Sequence, residues 1–295
     1  MDRSIVKSTL GVKSYTGHNA HHTSVGGITR ILLVLFIVAI ALTPFYISVL
    51  YSLKDHADIS LNRLAWPTNP SLDNYRRVIQ ENKYFAIGFR NSVFTTIPTV
   101  IILLLSTSMA AFVLARNNGF FYKFMYTLFI SGILVPFQCI MLSLYVNIYN
   151  LGLASTNLGF ILARSGFQVS ISVLTVTGFV KNVPHELEQA AAIDGCGKFR
   201  TFWQIVFPLM MPVNVTQLVL NTLFVWNDYS TAVVLLRTDT SRTLPLAQIV
   251  YFGENMTELN LAFAFFILAM LPILLIYLFT QRFIVSGIMS GAVKG

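Results

Sequence analysis

The run from Ile31 to Leu53, ILLVLFIVAIALTPFYISVLYSL, contains no charged residue and is the first of six long apolar stretches in the chain. The others lie near 87–115, 123–147, 158–180, 210–236 and 259–281. A bilayer core ~30 Å thick is crossed by roughly 20 apolar residues of helix. Lipid offers no partner for backbone N–H and C=O groups, so runs of this length restrict the chain to membrane-spanning helices. Pro44, Pro98, Pro136 and Pro272 stand inside four of the runs, where a helical bundle can re-satisfy the freed carbonyls. The first run follows a polar tail and has no evident cleavage site, so it reads as a span and not as a signal peptide. The expectation is an all-α integral membrane protein with six transmembrane helices.

Composition agrees. Hydrophobic residues make up 55% of the chain and charged ones 11%, against about 25% charge in soluble domains. The formal net charge of +8 comes without a basic cluster, which suits anionic lipid headgroups and argues against nucleic acid. Cys139 and Cys196 offer neither a disulfide framework nor ligand spacing and read as small packing residues. His18, His21 and His22 sit in the polar tail, which reads as disordered and not as a metal site.

Short-loop basic residues orient the spans. Arg3, Lys7, Lys13, Arg30, Arg116, Lys123, Lys181, Lys198, Arg200, Arg282 and Lys294 fall on one side, whereas the opposite loop near 148–157 has no Lys or Arg. Both termini are therefore expected in the cytosol. The expected divisions are a cytosolic tail over 1–29, a six-helix domain over 30–281 and a cytosolic tail over 282–295. The external loop 54–86 turns at Trp66-Pro67 and Asn69-Pro70. An amphipathic helix is expected to start at Asn74, with Tyr75 and Tyr84 as anchors at headgroup level.

One cytosolic loop is unusually polar. Pro184-His-Glu-Leu-Glu-Gln-Ala-Ala-Ala-Ile-Asp-Gly195 reads as a helix of about three turns, with Pro184 at its first position and Glu186 and Glu188 complementing the helix dipole. Gly195 and Gly197 provide stops, and Leu187, Ala190, Ala191 and Asp194 share a face. So short a helix is not stable alone. Residue types leave three readings open: resting on lipid, capping its own bundle, or docking into a partner.

Other chemistry is sparse. Gly195-Cys-Gly-Lys198 looks like the end of a phosphate-binding loop, but Ala192 and Phe199 stand where Gly and Ser or Thr are required. No catalytic constellation marks a membrane enzyme. Polar residues at membrane depth are functional candidates: Gln138, Tyr145 and Asn147 in the third run, and Gln217, Asn221, Trp226, Asn227 and Asp228 in the fifth. Amides, a carboxylate and an aromatic face suit a saccharide path, and the same side chains equally suit interhelical hydrogen bonding.

The polar loop resembles the EAA loop of permease subunits of ATP-binding-cassette (ABC) importers. The family pattern is Glu-Ala-Ala, three residues, Gly, nine residues, Ile, one residue, Leu-Pro; this chain has Gln189-Ala190-Ala191, Gly195, Ile205, Phe207 and Pro208 at those spacings. Gln189 lacks the family's charge, which the neighbouring Glu188 is expected to supply. Further stretches resemble maltose-type carbohydrate permeases: Asn91-Ser92, Ala110-Ala-Phe-Val-Leu-Ala-Arg116, Leu151-Gly-Leu153, Val225-Trp-Asn-Asp228, Arg242-Thr-Leu-Pro245, Gln281-Arg-Phe-Ile-Val-Ser-Gly287 and the terminal Gly-Ala-Val-Lys-Gly.

The resemblance implies the type I importer permease fold in the cell membrane. It implies a second homologous permease subunit, an ATPase dimer, and an extracellular sugar-binding lipoprotein or periplasmic binding protein as partners. ATP and Mg would sit on the ATPase, with no cofactor and no metal on this chain. The loop 182–212 would couple the two, through Glu186, Glu188, Gln189, Ala190, Ala191, Asp194, Gly195 and Pro208. The expected cargo is a sugar or oligosaccharide; an ABC permease for another small polar solute and a self-sufficient ion-coupled sugar carrier are the alternatives.

Overall fold

The computed structural model describes residues 25–252 and 258–292; the histidines of the N-terminal tail lie outside them. The chain divides into two units, residues 1–46 and 47–295. The first holds most of helix α1, Val25–Ser52, which is apolar on every face and retains Pro44 within it. A helix apolar all round suits a lipid environment.

The second unit is built around α4, Lys83–Arg116, and α7, Asn157–Val180, which share the most extensive helix contact in the chain. Between the end of α1 and α4 lie two short helices, α2, His56–Leu61, and α3, Asp73–Gln80. Helices α5, Phe120–Ser131, and α6, Phe137–Asn150, precede α7. Beyond it come α8, Glu186–Ile193, α9, Lys198–Thr201, and α10, Phe207–Leu209. The chain continues through α11, Met211–Trp226, α12, Ser230–Leu235, α13, Leu244–Ala247, and α14, Leu259–Ala292.

Both helices bury many small or short polar residues. Asn91, Thr95, Thr99, Leu103, Thr107 and Ala111 recur every fourth position on α4 and are buried, as are Gly159, Ala163, Ser172 and Thr177 on α7. Lipid is as apolar as a leucine side chain, so membrane helices associate by close packing of such residues. On α4 three of the hydroxyls are satisfied within the helix: Thr95 donates to the Asn91 carbonyl at 2.8 Å, Thr99 to that of Thr95 at 2.7 Å and Thr107 to that of Leu103 at 2.6 Å.

Among the described residues four helices are individually long and apolar enough to span a membrane, and up to six spans result if each of two bent pairs counts as one. Two of the expected runs are broken. The third bends by 105° between the α5 segment and α6, because Val135 is held extended ahead of Pro136. Pro98 and Pro272 remain inside their helices. The fifth run, read as one helix over 210–236, stops at Trp226 and restarts at Ser230. There the Asp228 carboxylate accepts from the Thr231 N–H at 2.9 Å.

The segment between α1 and α4 is locked to the bundle. Asn74 is buried and donates to the carbonyls of Ser52 at 2.9 Å and Lys54 at 2.7 Å, while Asn260 donates to its Oδ1 at 2.7 Å. Lys54, buried, donates to the Asn62 carbonyl that ends α2. Tyr75 and Tyr84, expected as lipid anchors, instead pack around Val78 and Phe265. Their hydroxyls are hydrogen-bonded to Ser52 at 2.6 Å and Asp239 at 3.0 Å. Burial alone would lower the Arg77 pKa, but hydrogen bonds and ion pairs with Glu81 and Glu258 hold it above its ordinary value. The cysteine reading also changes: Cys139 is exposed and Cys196 half-buried, both free.

Two of the quoted motifs turn out to bind each other. The Asn91 amide donates to the carbonyls of Thr240 at 2.8 Å and Arg242 at 2.9 Å, and the Ser92 hydroxyl accepts from the Leu244 N–H at 2.9 Å. This pins α13 across α4, where Gly88 leaves room: a Cβ there would sit 3.2 Å from the Leu244 backbone. Asn91→Ala strands two carbonyls, each costing ~1–3 kcal/mol when buried. The expected result is a clear drop in the thermal unfolding midpoint in detergent, with helix content retained.

Candidate functional site

The polar loop forms helix α8, two turns long and shorter than expected. It starts at Glu186 after His185, so Pro184 precedes the helix and does not open it. At its end the Gly195 N–H bonds the Ala192 carbonyl at 3.1 Å and the Cys196 N–H bonds that of Ala191 at 2.9 Å. That pair of bonds needs a left-handed residue, and Gly195 supplies it with φ +80°. Gly197 has φ −71° and is the N-cap of α9, so it is a helix start and not the stop expected of it.

What fixes α8 is Arg116, the last residue of α4. Its Nε lies 2.6 Å from Glu188 Oε1 and its Nη2 donates to the Val183 carbonyl at 2.9 Å, with both charged side chains only 11% exposed. One guanidinium thus holds the chain before the helix and the helix itself. Glu188 faces inward with its charge neutralised, which corrects the expectation that it presents charge to a partner. Ala191 is likewise turned inward and buried. Behind the pair lies a cavity of about 590 Å³, lined in part by Phe112, Cys196, Phe199 and Phe202.

The outward face carries Glu186, Leu187, Gln189, Ala190, Ile193 and Asp194. Ile193 is 87% exposed and Phe199, just beyond, 69%. Both are large apolar side chains presented by an otherwise polar segment. Downstream, the Phe207 N–H reaches back to the Phe202 carbonyl in one wide turn, and Pro208 follows in α10. The chain then bends by 75° into α11. Phe202, Trp203 and Phe207 meet there edge-on or tilted with centroids 5.0–5.8 Å apart, and Phe207 packs at the position of the family leucine.

The polar residues of the spans do not form one constellation. Gln217 and Asn221 are buried; Asn221 donates to Gln217 at 3.4 Å and accepts from Ser172 of α7 at 3.3 Å. Trp226 donates to the Ala269 carbonyl at 3.1 Å and meets Phe89 edge-on. Gln138 and Asn147 are exposed on α6, and Tyr145 stacks on Tyr149 with Arg237 over its ring. Only Asn227 and Asp228 share a groove, of about 630 Å³, and with them is Arg164 of α7.

Arg164 Nε lies 3.1 Å from Asp228 Oδ2. Sequence reading passed over Arg164, although a lone cation within an apolar run is a default candidate. It also passed over Arg116, the closing residue of a quoted motif, and over Ile193 and Phe199, whose signal was apolar bulk in a polar loop.

Comparison with known proteins follows this geometry. Residues 106–290, more than half the chain, match the family described as the binding-protein-dependent transport system inner membrane component. The multiple sugar-binding transport system permease MsmG of Streptococcus mutans is 35% identical over 86% of this chain and 92% of its own. The melibiose/raffinose/stachyose import permease MelC of Bacillus subtilis is 34% identical over 85% of this chain and 91% of its own. Among solved structures, a chain of a bacterial ABC transporter involved in alginate import superposes with a TM-score of 0.77 at 20% identity, covering 87% of this chain and 95% of that one, a likeness of fold. The chain belongs to the binding-protein-dependent transport system inner membrane component family and is a multi-pass cell-membrane permease subunit of an ABC importer, not an enzyme.

Proposed function

We propose that this permease carries a sugar or oligosaccharide handed over by an external binding protein, and that α8 couples it to an ATPase dimer. ATP and Mg are bound by that dimer and not by this chain. A second homologous permease completes the pathway, six spans cross the membrane with the two bent pairs counted singly, and both termini lie in the cytosol. Residues 30–281 form the permease domain between tails 1–29 and 282–295.

The observation that carries the reading is the outward face of α8. Leu187, Ile193 and Phe199 provide apolar contact, ringed by Glu186, Gln189, Ala190 and Asp194. Arg116 anchors the helix to α4, Gly195 shapes its end, and Pro208 starts the bend into α11. A helix gripped by a partner and fixed to a span moves that span as a rigid body, so closure of the ATPase biases the bundle between inward- and outward-facing states. The solute path runs along the groove that Asn227 and Asp228 share with Arg164, a reading supported by these polar groups lining one opening.

The test is co-purification of an ATPase with the tagged chain, followed by reconstitution. Hydrolysis should rise several-fold when the liganded binding protein is added. Sugar uptake into liposomes by the purified chain alone would instead favour a self-sufficient carrier.

A further inference from the structure

We infer that the Arg164–Asp228 pair sets the charge class of the solute, admitting uncharged saccharides and turning away acidic ones; this rests on the permease reading above. Irregular backbone at membrane depth persists only where protein or water satisfies it. The open groove borders two irregular stretches: Phe137 lines it just past the bend at Pro136, and Asn227 to Thr231 line it where α11 gives way to α12. Its volume of about 630 Å³ falls within the range of small-molecule sites.

The wall of this groove is chemically unfinished. Arg164 Nε and Asp228 Oδ2 are 3.1 Å apart with side chains 15% and 6% exposed, yet neither atom has a hydrogen-bond partner, because the two groups are poorly aligned. The rest of each side chain is engaged: Arg164 Nη2 donates to the Phe224 carbonyl at 3.2 Å, and Asp228 Oδ1 accepts from the Thr231 N–H. Both atoms are shielded from the groove, so a solute meets them as a joined pair of charges and not through these two atoms. The aromatic faces of Phe137, Phe167 and Tyr229 line the same groove.

Arg164 and Asp228 are the only charged residues among those lining it, so its formal charge is zero. An uncharged sugar passes this pair without separating it. A uronate would have to take Arg164 from Asp228, leaving a carboxylate buried and unpaired, which is strongly disfavoured.

The test uses the permease assembled with its partner subunits in lipid nanodiscs, without the binding protein, so that selective delivery does not mask the groove. Calorimetry with maltotriose, raffinose and trigalacturonate reads the affinities. Wild type should bind at least one neutral trisaccharide and bind trigalacturonate at least tenfold more weakly. Asp228→Asn keeps the acceptor for Thr231 and frees Arg164, so it should bind trigalacturonate at least tenfold more tightly than wild type. Arg164→Gln/Asp228→Asn removes the cation and should reverse that gain.

Equal wild-type affinity for both classes, no neutral binding, no gain in Asp228→Asn, or a gain that survives in the double variant would each overturn the inference. ATP hydrolysis by the same wild-type preparation, measured with and without liganded binding protein, separates the two claims. Retained stimulation leaves the permease reading standing while the charge-class inference falls; absent stimulation refutes the permease reading itself.

Discussion

Ile193→Lys is expected to abolish stimulation of ATP hydrolysis by the liganded binding protein while leaving the protein folded in the membrane. The side chain is 87% exposed in the chain alone, so the substitution disturbs no internal packing. On the coupling proposal it becomes an apolar anchor in the assembly. Burying an isoleucine is worth about 1.5–3 kcal/mol, and a lysine adds the cost of desolvating an ammonium group at the same spot. Together these predict a loss of stimulated hydrolysis of tenfold or more. Leu187→Ala, at 43% exposure, should give a smaller loss. Hydrolysis with and without binding protein, normalised to the ATPase retained on the tagged permease, is the measurement.

Arg116→Ala is the second large effect. It leaves Glu188 without a counter-ion at 11% exposure and strips the Val183 carbonyl of its donor. Breaking a buried pair from one side costs about 3–5 kcal/mol, enough to free α8 from α4. Binding-protein stimulation should disappear while the ATPase still co-purifies, since the outward face is untouched. Arg116→Lys restores the charge but not the two-pronged geometry, so it should recover only part of the coupling. The exchange Arg116→Glu/Glu188→Arg should recover more than either single change. A role confined to stability would lower protein yield in each variant without changing the ratio of stimulated to basal hydrolysis.

The spans were legible because each needs only a long apolar run, and α4, α7 and α14 lie where the runs do. The breaks were not, since a helix tolerates Pro98 and Pro272 yet opens at Pro136. The difference depends on what neighbouring helices can satisfy, and that is not written locally. The motifs were visible as words without their grammar. Asn91-Ser92 and Arg242 to Leu244 are two halves of one joint, and Arg116 and Glu188 are two halves of another.

Polar residues in the spans were ambiguous for a physical reason: an amide that glues helices and an amide that meets a solute are the same residue type. All three are buried, and what separates them is place: Gln217 and Asn221 lie within the packing, whereas Asp228 lines the groove. For α8, helical periodicity located the segment but left its rotation undefined, so Glu188 was assigned outward. A single ion pair to α4 turns it in and presents Ile193 instead.

The most direct measurement is the reactivity of a cysteine at position 193. With Cys139 and Cys196 replaced, Ile193→Cys should react with a membrane-impermeant thiol reagent only from the cytosolic side. It should become protected, and cross-linkable to the ATPase, when that subunit is co-expressed. Labelling from the external side, or labelling indifferent to the ATPase, would contradict α8 as the coupling helix.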